Sequence, residues 1–320
     1  MAPQGTGANA IAWHPNGQWL VVAHSGGWTL WDTARGELLI SQAGPSGNSL
    51  QFQSDGSGFL EGTTAGPTFW PTAIVAGKPQ VGPPRRLLPE NAGANERAAL
   101  SPDGKHFAAV GTMGAFLGPI AGDGPPQPIP GGVAHDTIEF SPDGRWLRIG
   151  RNREEVIHFH SASNGLLVTN LPTGNPAMSF VPGRNEILAG SPSGFAFWRL
   201  GTWEKLRAWP MRDETTCVGF AGFWPDASCA LANGTDLMLR LWDIESNREI
   251  ACLRLAEGSA ARGCVFDPSG RLIATTSAYP FLRIWDFPAL RRELRTLGLD
   301  WPDAQPGNGF VGADSQLWKE

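Results

Sequence analysis

Seven near-copies of one pattern run through the 320-residue chain, and that repetition limits its folds more than any other feature. The last copy, Cys264-Val-Phe-Asp-Pro-Ser-Gly-Arg-Leu-Ile-Ala-Thr-Thr-Ser-Ala-Tyr-Pro-Phe-Leu-Arg-Ile-Trp-Asp286, reads as an apolar strand, a Pro-Ser-Gly turn, a second apolar strand, a short loop and a third strand closing on Trp-Asp. Such a meander cannot cover both of its faces alone. Each copy must therefore lie against neighbours in a continuous array.

The turn after the first strand recurs at His14-Pro-Asn-Gly17, Ser54-Asp-Gly56, Ser101-Pro-Asp-Gly104, Ser141-Pro-Asp-Gly144, Val181-Pro-Gly183, Trp224-Pro-Asp226 and Asp267-Pro-Ser-Gly270. Proline presets φ in these turns, and glycine supplies the positive φ they need. The third strand ends at Trp31, Trp70, Leu117, Phe159, Trp198, Trp242 and Trp285, at intervals of 39 to 47 residues. A repeat of that length built from four short strands predicts an all-β, seven-bladed β-propeller of four-stranded antiparallel blades. The 41 Gly and 27 Pro are spread along a chain that is 41% apolar. That fits short strands and tight turns better than disorder.

Leu239-Arg-Leu-Trp-Asp243, Leu282-Arg-Ile-Trp-Asp286 and Phe140-Ser-Pro-Asp-Gly-Arg145 resemble WD repeats. The resemblance covers roughly residues 11–287. It implies a ring of blades around a central channel, used mostly as a rigid platform for protein partners. The tail Leu290-Arg-Arg-Glu-Leu-Arg-Thr-Leu-Gly-Leu-Asp-Trp301 is similar to the ending of WD-repeat regions in large bacterial proteins, some of which carry a serine/threonine kinase domain. The chain itself holds no kinase motif.

Three domain segments follow: residues 1–10 as an N-terminal segment, 11–287 as the propeller, and 288–320 as a helix and tail packed on it. Asp286 is expected to cap the helix, with Pro288 in its first turn, Leu290, Leu294 and Leu297 at helical spacing, and Gly298 at its end. Residues 74–98, with Pro79, Pro83, Pro84 and Pro89, are expected to make a surface excursion between blades 2 and 3. Blade 3 has the weakest residue signal. Closure of the ring falls either to the N-terminal segment or to the segment 309–318, because a strand left open at the last blade would expose its edge.

WD repeats often hold a buried Asp–His–Ser/Thr–Trp network. Its Asp position is kept only by Asp236, while Ser25, Thr64, Gly111, Arg153, Pro192 and Tyr279 occupy the other six. The blades are therefore expected to be held by apolar packing. Replacing Asp236 with alanine should then cost only about 1 kcal/mol.

Candidate partner-binding residues are Trp28, Arg151, Arg153 and Arg212. Trp28 follows Ser25-Gly-Gly27, which reads as a loop, and tryptophan is a frequent interface anchor. Arg151 and Arg153, close to Arg145 and Arg148, could hold an acidic peptide or phosphate through forked guanidinium groups. Glu154 and Glu155 could equally neutralise them. Arg212 precedes Asp213-Glu214 in the connection between blades 5 and 6, which reads as solvated. Trp203, Trp209, Trp224, Trp301 and Trp318 either fill gaps between blades or anchor a partner. His158 and His160 share a strand face, without a third metal ligand nearby in sequence. Cys217, Cys229, Cys252 and Cys264 read as buried small hydrophobes, with a disulfide or reactive thiol as the alternative.

The net charge of −5 gives no basic field to gather nucleic acid. No apolar run approaches the length of a membrane span. The expected partner is a protein or peptide, with no nucleic acid, no membrane insertion, no cofactor and no metal, and the chain is expected to be a monomer. If Met1 is the native start the expected compartment is the cytoplasm; for an excised domain it is open. The leading function is a non-catalytic docking or sensory platform, in a bacterial signalling system. The alternative is a lactonase-like enzyme at the channel mouth, or a small-ligand-binding propeller, built from scattered polar residues.

Overall fold

The computed structural model describes residues 7–89, 97–122, 124–131, 137–150, 156–172, 178–191, 194–210, 217–234, 238–246, 248–254, 261–277, 282–298 and 300. These residues form a seven-bladed propeller. Blade 1 contains Ala8–Trp13, Trp19–His24, Gly27–Asp32 and Glu37–Ala43, hydrogen-bonded in chain order and antiparallel. Blades 3 to 6 repeat this order. They begin at Arg97–Leu100, Thr137–Phe140, Met178–Phe180 and Cys217–Phe223.

Blade 7 contains Ala261–Phe266, Leu272–Ser277 and Leu282–Asp286 among the described residues. Of the two segments expected to supply its fourth strand, 309–318 and residues 1–6 lie outside them, while Ala8–Ala10 of the N-terminal segment is taken up in the first strand of blade 1. The ring still closes by packing, because Ala261–Phe266 lies against Ala8–Trp13 of blade 1. Ala8, Ile11, Trp13, Leu20 and Val22 share a core there with Ala274 of blade 7. The Trp13 indole also donates to the Val265 carbonyl at 3.3 Å.

The seven turns follow one chemistry. Gly17, Gly56, Gly104, Gly144 and Gly270 sit at φ between 68° and 73° and donate back to the residue that opens the turn. In blade 5 the positive φ moves one place forward, to Gly183. In blade 6, where no glycine is available, Ala227 takes φ 57°. An alanine there carries backbone strain that glycine would not. Its buried methyl, packed near Phe223 and Trp242, offsets part of that cost.

Blade 2 departs from the sequence reading. Its strands Gly47–Phe52, Gly58–Thr63 and Thr68–Val75 are followed by Lys78–Val81 and by Arg85–Arg86. The third strand is long enough to pair twice. Phe69 and Thr68 pair with Arg85 and Arg86 in the fourth-strand place, and Thr72–Val75 runs on into a hairpin with Lys78–Val81. Much of the expected excursion is thus ordered β-structure. The consecutive Pro83 and Pro84 fall between the two short strands, where no ladder bond is needed.

The helix Phe287–Thr296 forms as its caps dictate. The Asp286 carboxylate accepts the Ala289 N–H at 2.8 Å, Pro288 lies in the first turn, and Gly298 at φ 68° donates to the Arg295 carbonyl. Phe287 is buried and meets Trp224 edge-on at 4.9 Å, which seats the helix on blades 6 and 7. Leu297, by contrast, is 69% exposed.

Candidate docking surfaces

The connections of each blade divide between two ends of the ring. One end carries the turns between first and second strands; the other carries the loops between second and third strands and the blade-to-blade links. Arg151, Arg153 and Arg212, and with them Glu154, Glu155, Asp213, Glu214 and Asp236, lie outside the described residues. The two other arginines of that cluster are neutralised by partners the sequence reading did not name. Arg145 pairs with Asp143 at 2.6 Å, and the nearly buried Arg148 pairs with Glu139 at 2.9 Å.

Trp28 is not an exposed anchor. It is 1% exposed, because the strand begins at Gly27 and not after a loop. Trp28 pairs with Ala23 and Gln42, and alternation turns Trp28 and Leu30 toward blade 2 while Trp31 faces blade 7. Its ring meets Phe59 at 5.2 Å and Trp70 at 5.1 Å, both edge-on. Gly27, at φ 123°, makes this possible: a Cβ there would fall 2.1 Å from the Gln42 carbonyl oxygen.

Other tryptophans also fill joints. Trp203 lies 4.7 Å from Phe159 and 5.3 Å from Trp146, and Trp224 lies 4.7 Å from Phe266. Trp301, Trp318 and the Trp209 side chain are outside the described residues. His158 turns to the Asn170 side chain at 2.7 Å, and the buried His160 meets the Gly165 carbonyl at 2.9 Å. Burial holds His160 below the usual imidazole range. Among the described residues, no group of three or more His, Cys, Asp or Glu is placed to hold a metal.

Cys229 and Cys264 are buried free thiols, and burial pushes Cys229 up to about 11 and Cys264 further. Neither is poised to act as a thiolate at neutral pH. Cys252 corrects the expectation that all four are buried. It lies exposed on the outer strand Arg248–Arg254.

The first strands and turns of blades 1, 2, 6 and 7 frame a recess of about 480 Å³, lined among others by Trp13, Pro15, Gln51, Gln53, Asp267 and Pro268. Three of its polar side chains already serve the fold. Gln51 accepts the Leu100 N–H at 2.8 Å, and Gln53 donates to the Gly104 carbonyl at 2.8 Å. Asp267 accepts the N–H groups of Ser269 and Leu272 and the Ser269 hydroxyl. A second cleft of about 620 Å³ lies between blades 3 and 4, with Asp103, His106, Asp143, Arg145 and Trp146 on its walls. Asp103 is held below the usual carboxylate range first by the Ser101 hydroxyl.

One residue escaped the sequence reading. Glu61 is 3% exposed on the second strand of blade 2, on the same face as Phe59 and Trp70. The Trp70 indole donates to its Oε2 at 2.9 Å, and Oε1 has no partner among the described residues. Burial pushes this carboxyl up to about 7, with the Trp70 bond working against it. The signal was present in the sequence, since Glu61 follows Phe59 by two and is the one charged residue of the strand Gly58–Thr63.

The family model described as WD domain, G-beta repeat matches residues 3–32, which span the first three strands of blade 1. Among curated proteins, none matches the chain. The chain is a seven-bladed β-propeller whose first blade matches the WD-repeat model, with that blade's topology repeated around the ring. Propellers of this kind generally mediate protein interactions. No helix among the described residues is long and apolar enough to cross a membrane.

Proposed function

We propose that this propeller is a non-catalytic docking platform for protein partners, acting as the sensory or docking part of a bacterial signalling system. The observation that carries this reading is the use made of polar side chains at the ring's centre. Gln51, Gln53 and Asp267 face the recess, yet each is committed to a backbone group of its own turn or of the neighbouring blade. They are holding parts of the ring together. A catalytic mouth would instead need several acid, amide or imidazole groups converging on one point with their bonding capacity unspent.

The signalling part of the proposal rests on the tail from Leu290 to Trp301, whose sequence resembles the ends of propeller regions in large bacterial proteins. Arg151, Arg153 and Arg212 are proposed as the contacts to an acidic segment of the partner, through forked guanidinium–carboxylate pairs.

The test is crosslinking and affinity capture with the tagged full chain, with identification of the retained proteins. One discrete partner should be retained by the native chain and lost by the triple variant Arg151→Glu, Arg153→Glu, Arg212→Glu, whose melting temperature should stay unchanged. Turnover of a lactone or ester substrate by the purified chain, removed by substitution at the recess, would replace this reading with the enzymatic one.

A further inference from the structure

The hairpin of blade 2 is an element the ring does not need. Arg85–Arg86 already fills the fourth-strand position beside Thr68 and Phe69. The backbone of the second strand follows the third only as far as Gly58 opposite Pro71, and one further bond ties the Thr72 N–H to the Ser57 carbonyl. Past that point Ala73–Val75 is paired on one side only, by Lys78–Gln80. The chain reverses at Ala76 and Gly77, at φ 50° and 75°, as a tight hairpin turn requires.

The two long edges of this hairpin differ. The Lys78–Val81 edge carries a lysine and Pro79, two devices that discourage further pairing. The Ala73–Val75 edge carries neither. Ile74 is 55% exposed and Val75 47%, on opposite faces of the tip. The segment that carries them is basic: Lys78, Arg85 and Arg86 are the only charged residues between Glu61 and Glu90 in sequence, and Lys78 pairs directly across from Val75. Lys78 and Arg85 are exposed, and the Arg85 guanidinium lies over the Phe69 ring at 5.4 Å. This is a basic island in a chain whose net charge is −5.

We propose that the Ala73–Val75 edge docks an extended segment of a partner protein as an added strand. Apolar residues of that segment cover Ile74 on one face, and acidic residues on the face that carries Val75 meet Lys78, which pairs across from it. The backbone groups of the overhanging edge supply the pairing, and the charge pattern selects an acidic strand over a basic one. This inference rests on the docking-platform reading and names one surface and one partner chemistry for it.

The probe is a fluorescein-labelled peptide, acetyl-Glu-Val-Asp-Ile-Glu-Val-amide, titrated with the full chain and followed by anisotropy. Its counterpart has lysine in place of each acid. Saturable binding of the acidic peptide alone is expected, together with amide shifts at Ala73–Lys78 in the NMR spectrum. The double variant Ile74→Ser, Val75→Ser should weaken binding by about tenfold or more, and Lys78→Glu should weaken it and reduce its salt dependence.

Three results would overturn the proposal: equal binding of both peptides, binding that the double variant leaves intact, or no saturable binding at all. Sedimentation showing a dimer that Ile74→Ser, Val75→Ser dissolves would assign the edge to a second copy of this chain, which also overturns it. Because Ile74 and Val75 are exposed, an unchanged melting temperature shows that the double variant is folded. Failure here, with the crosslinked partner still retained by the native chain, would leave the docking platform standing and remove only this edge from it.

Discussion

Blade 2 is joined to blade 1 and to blade 3 by different means. Toward blade 1 the joint is aromatic: Trp28, Phe59 and Trp70 interlock, and His14 meets Trp19 and Phe52 edge-on at 5.0 Å each. Toward blade 3 the joint has an apolar centre of Leu60, Phe69, Leu100 and Phe107, and its inner rim is stitched by side chains. Ser49 accepts the Ala98 N–H at 2.9 Å, Gln51 accepts that of Leu100, and Gln53 donates to Gly104. The comparison teaches that a propeller whose sequence keeps the WD aspartate at one of seven positions can hold neighbouring blades by aromatic interdigitation or by side-chain bonds to the next strand's backbone. Among the described residues, three third-strand indoles still find a side-chain acceptor on their own blade. Trp31 donates to Thr29, Trp70 to Glu61, and Trp285 to Thr275.

The aromatic joint should break most readily at its centre. Trp28→Ala removes a fully buried ring contacting two others and should cost about 3–5 kcal/mol, read as a fall in the denaturant midpoint. A loss under about 1 kcal/mol would show that the joint repacks.

The same joint contains Glu61, so it should respond to pH where the stitched joint does not. The folded-state carboxyl sits near 7 against 4.5 unfolded. The folded chain therefore binds more proton between those values, and stability contributed by Glu61 falls as pH rises from 4.5 to 7, by about 3 kcal/mol in all. Buried His14, His24 and His160, held low by desolvation, act in the opposite sense below 6.5. The readout is accordingly the difference between the native chain and Glu61→Gln, which should grow in favour of the variant as pH rises to 7 and then level off. Parallel stability curves would place the Glu61 carboxyl in the ordinary range.

At the stitched joint, Gln51→Ala leaves the Leu100 N–H without its acceptor and should cost about 1–3 kcal/mol, with no dependence on pH in that window. Water entering from the adjoining recess would bring the loss toward zero, and hydrogen exchange at Leu100 would report it. Smallest of all, Arg145→Ala removes an ion pair whose arginine is 62% exposed, and thermal melts should move by no more than the roughly 0.5 kcal/mol of a surface contact.

The aromatic joint was partly legible, since a chain with 14 Trp and 16 Phe must bury most of them between blades. Which of them face a partner was not. Trp28 follows two glycines and reads as a loop residue, but Gly27 opens the third strand and sets the alternation that buries it. The stitched joint was invisible for a related reason. Ser49 and Gln51 alternate along a strand as solvent-facing residues do, and only the approach of Arg97–Leu100 turns them into acceptors.

The sequence by itself determined the blade count, the turns at Gly17 through Gly270, and the helix from Asp286 to Gly298. Those features are local: proline and glycine fix φ within a few residues, and a regular interval states how often the unit recurs. Tertiary structure alone decided that Trp28 is core, that Glu61 meets an indole in an apolar joint, that Cys252 faces out, and that blade 2 carries a hairpin beyond its fourth strand. Each of these depends on which residues, distant in the chain, come to lie on the other side of a strand, and closure of the ring sets that pairing.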